Sequence, residues 1–247
     1  SNLTYVDDYP TNFAYDVTVS GGYAYIASGY NGLVVVDVSD PSNLTYAVGL
    51  STGSDALGVV VSDGYAYVCS GNGLLVVVDV SDPTNPTYAG EFNVVADSSD
   101  VAVWLSGYAY VAAGPNGLVV VDVSDPANPT YAGGYDQNPG YANGVAVSGG
   151  YAYIADSYGL VVVDVSDPMN PTYAGEYDTY GNAYGVTVAG GYAYVACEDA
   201  GMVVLDVSNP TNPQEVGSYD TTGDAFGVET SSGYAYVSSS TARTRPP

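Results

Sequence analysis

The sequence has no histidine and no lysine, and its only two cationic side chains, Arg243 and Arg245, stand among the last five of its 247 residues. Residues 1–242 therefore hold no positive partner for any of the 27 acidic residues. Internal salt bridges are excluded there, so the fold must rest on apolar burial and backbone hydrogen bonding. Nucleic acid is excluded as a partner, because holding its phosphates takes Lys or Arg. Anionic membrane surfaces are excluded for the same reason. With no His there is no imidazole base, and with no Lys no Schiff-base amine. No glycine-rich loop leads into a helix, so no phosphate cradle is indicated. No stretch approaches the roughly 20 apolar residues of a membrane-spanning helix. The expectation is a chain that is not an enzyme and does not insert into a membrane.

What is present is a net charge of −25. Such a chain repels itself, so it favours ionic strength or divalent cations around it, as in seawater, brine or a calcified cell surface. Acidity that serves solubility alone is the other reading.

A phrase of about forty residues recurs. Gly-Tyr-Ala-Tyr begins at Gly22, Gly64, Gly107, Gly150, Gly191 and Gly233, in steps of 42, 43, 43, 41 and 42 residues. Asp-Val-Ser-Asp-Pro begins at Asp37, Asp79, Asp122 and Asp164, and returns as Asp-Val-Ser-Asn-Pro at Asp206. The fifth copy reads as four strands. Residues 183–188 form a short β segment, and a glycine turn leads to residues 192–197, where small residues alternate with Tyr. Residues 202–207 are a continuous apolar run, as expected of a strand buried on both faces. After a Pro-rich loop, residues 214–219 make a weaker, more polar fourth strand. Four antiparallel strands per repeat, with Gly and aromatic motifs in each, predict a propeller blade.

The run Leu33-Val34-Val35-Val36-Asp37-Val38-Ser39-Asp40-Pro41, then Asn-Pro, then Ala-Tyr-Gly-Val-x-Val, then Gly-Tyr-Ala-Tyr-Val-Ala, closely resembles the LVIVD repeat. The resemblance covers residues 1–239. It implies a β-propeller of a kind found in secreted and surface proteins of bacteria and archaea, and the count of strands and repeats predicts an all-β, six-bladed β-propeller of four-stranded antiparallel blades. It implies no catalytic residue set.

The expected domain is a single propeller, residues 1–247, with blades near 14–50, 56–93, 99–135, 142–177, 183–219, and 225–247 together with 1–9. In the sixth blade an N-terminal strand joins the C-terminal strands and clasps the ring. A third strand equivalent to Gly-Leu-Val-Val-Val-Asp-Val is missing there. It is expected either from the tail after Ser239 or from a neighbouring molecule, since an unfilled slot leaves backbone groups unpaired. Cys69 and Cys197 fall in copies on opposite sides of such a ring, so buried free thiols are expected rather than a disulfide.

The repeated carboxylates before Ser and Pro are expected to cap their own turns rather than bind metal. The loops entering each blade carry aromatics beside acids: Tyr15, Tyr141, Tyr180, Tyr184, Asp178 and Asp224 form the candidate ligand face. It suits sugar stacking or a protein contact, unless the rings merely staple blade ends. Asp16 and Asp100 take the slot held elsewhere by Gly58, Gly144, Gly185 and Gly227, which makes them candidate ligands for a central Ca²⁺. Otherwise no cofactor is expected.

Ser1–Tyr5 copies Ser42–Tyr46, so the chain opens in mid-repeat, which fits a processed, mature start in an extracellular or cell-surface protein. Asn2 and Asn43 head sequons, the candidate glycosylation sites. The functional expectation is an extracellular structural or adhesive repeat protein acting through contacts with other subunits, itself included, and forming filaments where a neighbour completes the sixth blade. A carbohydrate-binding module is the alternative, and a metal-dependent hydrolase comes third.

Overall fold

Alternating Tyr and small residues, followed within one hairpin by an unbroken Val run, fix the local structure of every repeat. The computed structural model describes residues 8, 10–11, 13–104, 107–136 and 140–240. These residues contain strands, turns and loops and no helix.

The first sheet holds β1 (Asp16–Ser20), β2 (Tyr23–Ala27), β3 (Leu33–Asp37) and β4 (Thr45–Leu50). The second holds β5 (Ala56–Ser62), β6 (Tyr65–Ser70), β7 (Leu74–Asp79) and β8 (Thr87–Asn93). The third holds β9 (Asp100–Val103), β10 (Tyr108–Ala112), β11 (Leu118–Asp122) and β12 (Thr130–Tyr135). The fourth holds β13 (Ala142–Ser148), β14 (Tyr151–Asp156), β15 (Gly159–Asp164) and β16 (Thr172–Asp178). The fifth holds β17 (Ala183–Ala189), β18 (Tyr192–Cys197), β19 (Gly201–Asp206) and β20 (Gln214–Tyr219). Among the described residues the last sheet has two strands, β21 (Ala225–Ser231) and β22 (Tyr234–Ser239). In each four-stranded sheet the strands pair in chain order, the up-and-down arrangement of a propeller blade. The N-terminal strand and the tail expected to finish the sixth blade lie outside the described residues.

The chain divides into two compact units, residues 1–109 with 122–130, and residues 110–121 with 131–247. In the first, Tyr25, Leu33, Val35, Val59, Val68, Val76 and Val78 form one core cluster between the first and second sheets. In the second, Tyr153, Leu160, Val162, Val186, Val195, Val203 and Leu205 do the same for the fourth and fifth. Apolar burial between sheets is thus the main stabiliser, as the missing cations require. Cys69 and Cys197 are free and buried, as expected. Burial pushes the Cys69 thiol well above its ordinary range and Cys197 to about 11.

Register repeats with the sequence. Tyr23 lies opposite Asp37, Tyr65 opposite Asp79, Tyr151 opposite Asp164 and Tyr192 opposite Asp206. The Asp at each of these positions ends the strand by capping the turn beyond it. Asp79 Oδ1 accepts from the Ser81 N–H at 2.9 Å and its hydroxyl at 2.6 Å. Asp82, before Pro83, accepts from the Thr84 amide and hydroxyl in the same way. Asn209 takes over this role in the fifth copy, accepting from the Thr211 hydroxyl at 2.9 Å. The turn reading of these carboxylates holds, and the bonds lower the pKa values of Asp37, Asp79, Asp164 and Asp206, the Ser hydroxyl most.

Neighbouring first strands crowd. A Cβ on Gly185 would stand 2.8 Å from the Phe226 carbonyl oxygen, and one on Gly58 would stand 2.8 Å from the Asp100 Cα. Small residues at this slot are the condition for close approach. Outer strands are stitched by side chains: the Tyr177 hydroxyl donates to Glu215 Oε2 at 2.7 Å, and Tyr135 stacks on Tyr173 at 6.5 Å.

Candidate functional site

The entry end of four first strands carries a β-bulge. Ala142 pairs with Asp156 and Gly144 with Ala155, so Asn143 is the extra residue; the same shift makes Tyr184 extra on β17, Phe226 on β21 and Leu57 on β5. A bulge re-aims the side chain it carries. In the second unit it brings Tyr184 and Phe226 to a centroid distance of 5.4 Å at 58°. Asn143 stands beside them, its Nδ2 donating to the Ala183 carbonyl at 2.9 Å. Phe226 is exposed and Tyr184 half-buried, so the pair presents ring surface to solvent.

Two of the loops that lead into first strands end in uncovered apolar tips. Tyr180 is 89% exposed with φ +57°, and Val95 is 84% exposed with φ +70°. The corresponding residue of the first unit's other such loop is Gly53, at φ +80°. Gly takes this conformation freely, whereas a β-branched or aromatic side chain is strained in it. A carboxylate or amide two residues earlier holds each tip: Asp178 Oδ1 accepts from the Tyr180 N–H at 2.8 Å, and Asn93 Oδ1 from the Val95 N–H at 2.8 Å. Thr179 and Val94, next to the tips, are buried and anchor the loops.

The predicted residues divide between the units. Tyr15 is exposed in the first, with its ring against Gly29; Phe13 and Tyr30 meet edge to face at 5.9 Å nearby. Tyr141, Tyr180, Tyr184, Asp178 and Asp224 belong to the second. Tyr141 is exposed, and its carbonyl accepts from the Ser157 N–H at 3.3 Å. Asp224 is buried, its backbone exchanging bonds with Ser240 at 2.9 Å. Tyr184 of this set pairs with Phe226, which is outside it.

Asp16 and Asp100 both lie in the first unit. Asp16 bridges two first strands: Oδ1 accepts from Val17 N–H and Oδ2 from Val59 N–H, each at 2.8 Å. Burial raises its pKa against these bonds. Asp100 Oδ1 accepts from Val101 N–H at 2.7 Å. Among the described residues no group of three or more His, Cys, Asp or Glu side chains could hold a metal ion. Asn43 is exposed in its turn, and Asn2 lies outside the described residues.

Asp156 went unnoticed in the sequence. It occupies the sixth place of Tyr-Ala-Tyr-x-x-x, where Ser28, Ser70, Ala113 and Cys197 stand in other copies. Its carboxyl is buried, with Oδ1 accepting from the Tyr158 N–H at 2.9 Å and Oδ2 without a hydrogen-bond partner among the described residues. Desolvation raises its pKa. Lining up the six copies would have exposed it.

The LVIVD repeat profile matches residues 13–52, 53–94, 97–137, 139–179 and 180–221. The chain belongs to the LVIVD repeat family. A functionally unknown protein from Desulfotomaculum acetoxidans DSM 771 is similar in structure, with TM-score 0.72 and 15% identity over 85% of this LVIVD chain and 71% of that one. The Cps50 (Swd1) β-propeller domain of Myceliophteria thermophila follows at TM-score 0.70 and 12% identity, over 88% and 74% of the two chains. The computationally designed Ika8 protein reaches TM-score 0.64 at 9% identity, over 92% and 80%. Comparison with the curated proteins gives no match. At these identities the likeness shows the fold, an all-β propeller of repeated four-stranded antiparallel sheets.

Proposed function

We propose that this LVIVD repeat chain is a structural or adhesive component of an extracellular microbial surface that works through contacts with other protein subunits. One observation carries the reading: Tyr180 and Val95 are uncovered apolar side chains held at loop tips in a strained backbone, where Gly would cost less. Strain kept at an exposed position points to use at that position. Rigidly displayed exposed apolar loops are what a protein partner reads. The repeat family and its solved neighbours supply no reaction to assign, and the reading is non-enzymatic. The acidity suits a salty or calcium-rich exterior, where screening lets such molecules approach. A glycan on Asn43 or Asn2 belongs to the same proposal.

Sedimentation velocity at physiological ionic strength tests it. The wild-type chain shows concentration-dependent association, and Tyr180→Ser with Val95→Ser weakens it by about tenfold or more. Equal association in the double variant overturns the role of the tips.

The Tyr184–Phe226 pair favours a second reading, a carbohydrate-binding face, because bulge-mounted rings beside an amide suit stacking under a sugar. Glycan-array binding abolished by Tyr184→Ala with Phe226→Ala, and kept in the double tip variant, would select it.

A further inference from the structure

Tyr135 at the end of β12 and Tyr173 near the start of β16 bring two phenol rings together, each on the fourth strand of its sheet. Their centroids are 6.5 Å apart and their planes 30° from parallel, which is the geometry of a stacked aromatic pair. Both residues belong to the second unit. Tyr173 is 50% exposed and Tyr135 is half-buried, so solvent reaches both rings. One copy later the same two places hold Tyr177 and Glu215, and there the Tyr177 hydroxyl donates to the carboxylate at 2.7 Å. In the earlier copies these places hold Leu50 with Tyr88, and Phe92 with Tyr131. Of these four pairs of residues, Tyr135 with Tyr173 alone sets one phenol against another.

We propose that Tyr135 and Tyr173 form a site of oxidative modification, where peroxide-driven coupling joins them as dityrosine and ties β12 to β16. This goes beyond the protein-contact reading and does not depend on it. Other clamps are scarce in this chain. Residues 1–242 hold no cation for a salt bridge, and Cys69 and Cys197 are buried free thiols. A carbon–carbon bond between two exposed side chains needs neither.

The oxidant is hydrogen peroxide acting through a haem peroxidase. Each phenol loses one electron and its hydroxyl proton, leaving two phenoxyl radicals. A bond then forms between one ring carbon ortho to each oxygen. The hydrogens on those two carbons move to the oxygens and restore both hydroxyls. The two electrons and two protons released convert one peroxide into two waters. Desolvation raises the pKa of both phenols, and the negative charge of Glu176 adds to the rise in each, so one carboxylate lies near both rings. Glu176 is the base that takes the protons as the electrons leave. Coupling brings the rings closer than they stand, which the half-exposed Tyr173 allows by turning about its side-chain bonds.

The test treats the dilute chain with a haem peroxidase and hydrogen peroxide and isolates the monomer. Its mass should fall by two hydrogen atoms and dityrosine fluorescence should appear. Peptic digestion should yield one major cross-linked product, joining Tyr135 to Tyr173. Tyr135→Phe and Tyr173→Phe should each remove that product, since Phe has no hydroxyl proton to give up. Tyr177→Phe should leave its yield unchanged, because that hydroxyl is held by Glu215. The cross-linked monomer should also melt at a higher temperature than the untreated chain, as a cross-link restricts the unfolded state. A monomer without dityrosine, cross-links that join other tyrosines instead, or undiminished product in Tyr173→Phe overturns the inference. An unchanged melting temperature with the bond in place overturns its role as a clamp.

Discussion

At the scale of single residues, four non-Gly residues take a backbone that favours Gly, Asp63, Val95, Tyr180 and Ser232, and two of them, Val95 and Tyr180, carry exposed apolar side chains. The left-handed conformation costs an L-residue roughly 1–2 kcal/mol, partly offset because Gly loses more entropy on folding. Val95→Gly and Tyr180→Gly should therefore each raise stability, by up to about 1 kcal/mol, seen as a higher urea midpoint at unchanged slope. A lower midpoint would mean that these tips are packed rather than displayed. The same variants should weaken association, so stability and contact move in opposite directions. Asp156 gives a pH prediction. Its burial raises the native pKa above the unfolded value, so its neutral form is favoured in the fold. That contribution is complete below the ordinary value of 3.8 and is lost as pH rises through the raised native value. Asp156→Asn should gain on wild type as pH rises from 4 to 8 in denaturant titrations; a constant difference would show that Asp156 titrates normally. The tips and Asp156 were invisible to pattern reading, because one Val, one Tyr and one Asp leave the alternation of their strands intact.

At the scale of the strand, the sequence was a good guide where the motif was long and a poor one where geometry shifts by one residue. Among the described residues Tyr-Ala-Tyr located the second strands, and Leu-Val-Val-Val-Asp, or Met-Val-Val-Leu-Asp in the fifth copy, the third strands, since their alternation and continuous burial leave one arrangement. The capping role of Asp79 and Asp82 followed from their places before Ser and Pro. The bulges at Asn143, Tyr184 and Phe226 did not follow, because an extra residue in a short strand changes pairing without changing composition. They decide which rings meet: the candidate face had included Tyr184, and Phe226 is its actual neighbour. Close approach of first strands gives a sharp prediction here. Gly185→Ala would set a Cβ against the Phe226 carbonyl and the Gly227 Cα and should cost about 1–3 kcal/mol. Gly181→Ala, with nothing within 4 Å of the new methyl, should be close to neutral. Equal midpoints for the two would show that β17 and β21 have room to part.

At the scale of the whole molecule, charge and repetition govern behaviour. A net charge of −25 with both cations beyond residue 242 means that folding gathers acids without internal compensation. The melting temperature should rise between 0.01 M and 0.15 M salt, as the Debye length falls from about 30 Å to about 8 Å. A flat response would mean that the acids are too dispersed to repel. Repetition supplies the other lever, since the chain has five four-stranded sheets and, among the described residues, one two-stranded sheet. Amide hydrogen exchange of the purified chain, resolved to single strands, tests this directly. The account predicts that β2, β6, β14 and β18 exchange slowly while Tyr234–Ser239, whose Tyr234 and Tyr236 are exposed, exchanges fast. Slow exchange of Tyr234–Ser239 would contradict it, because that strand would then be as protected as its counterparts.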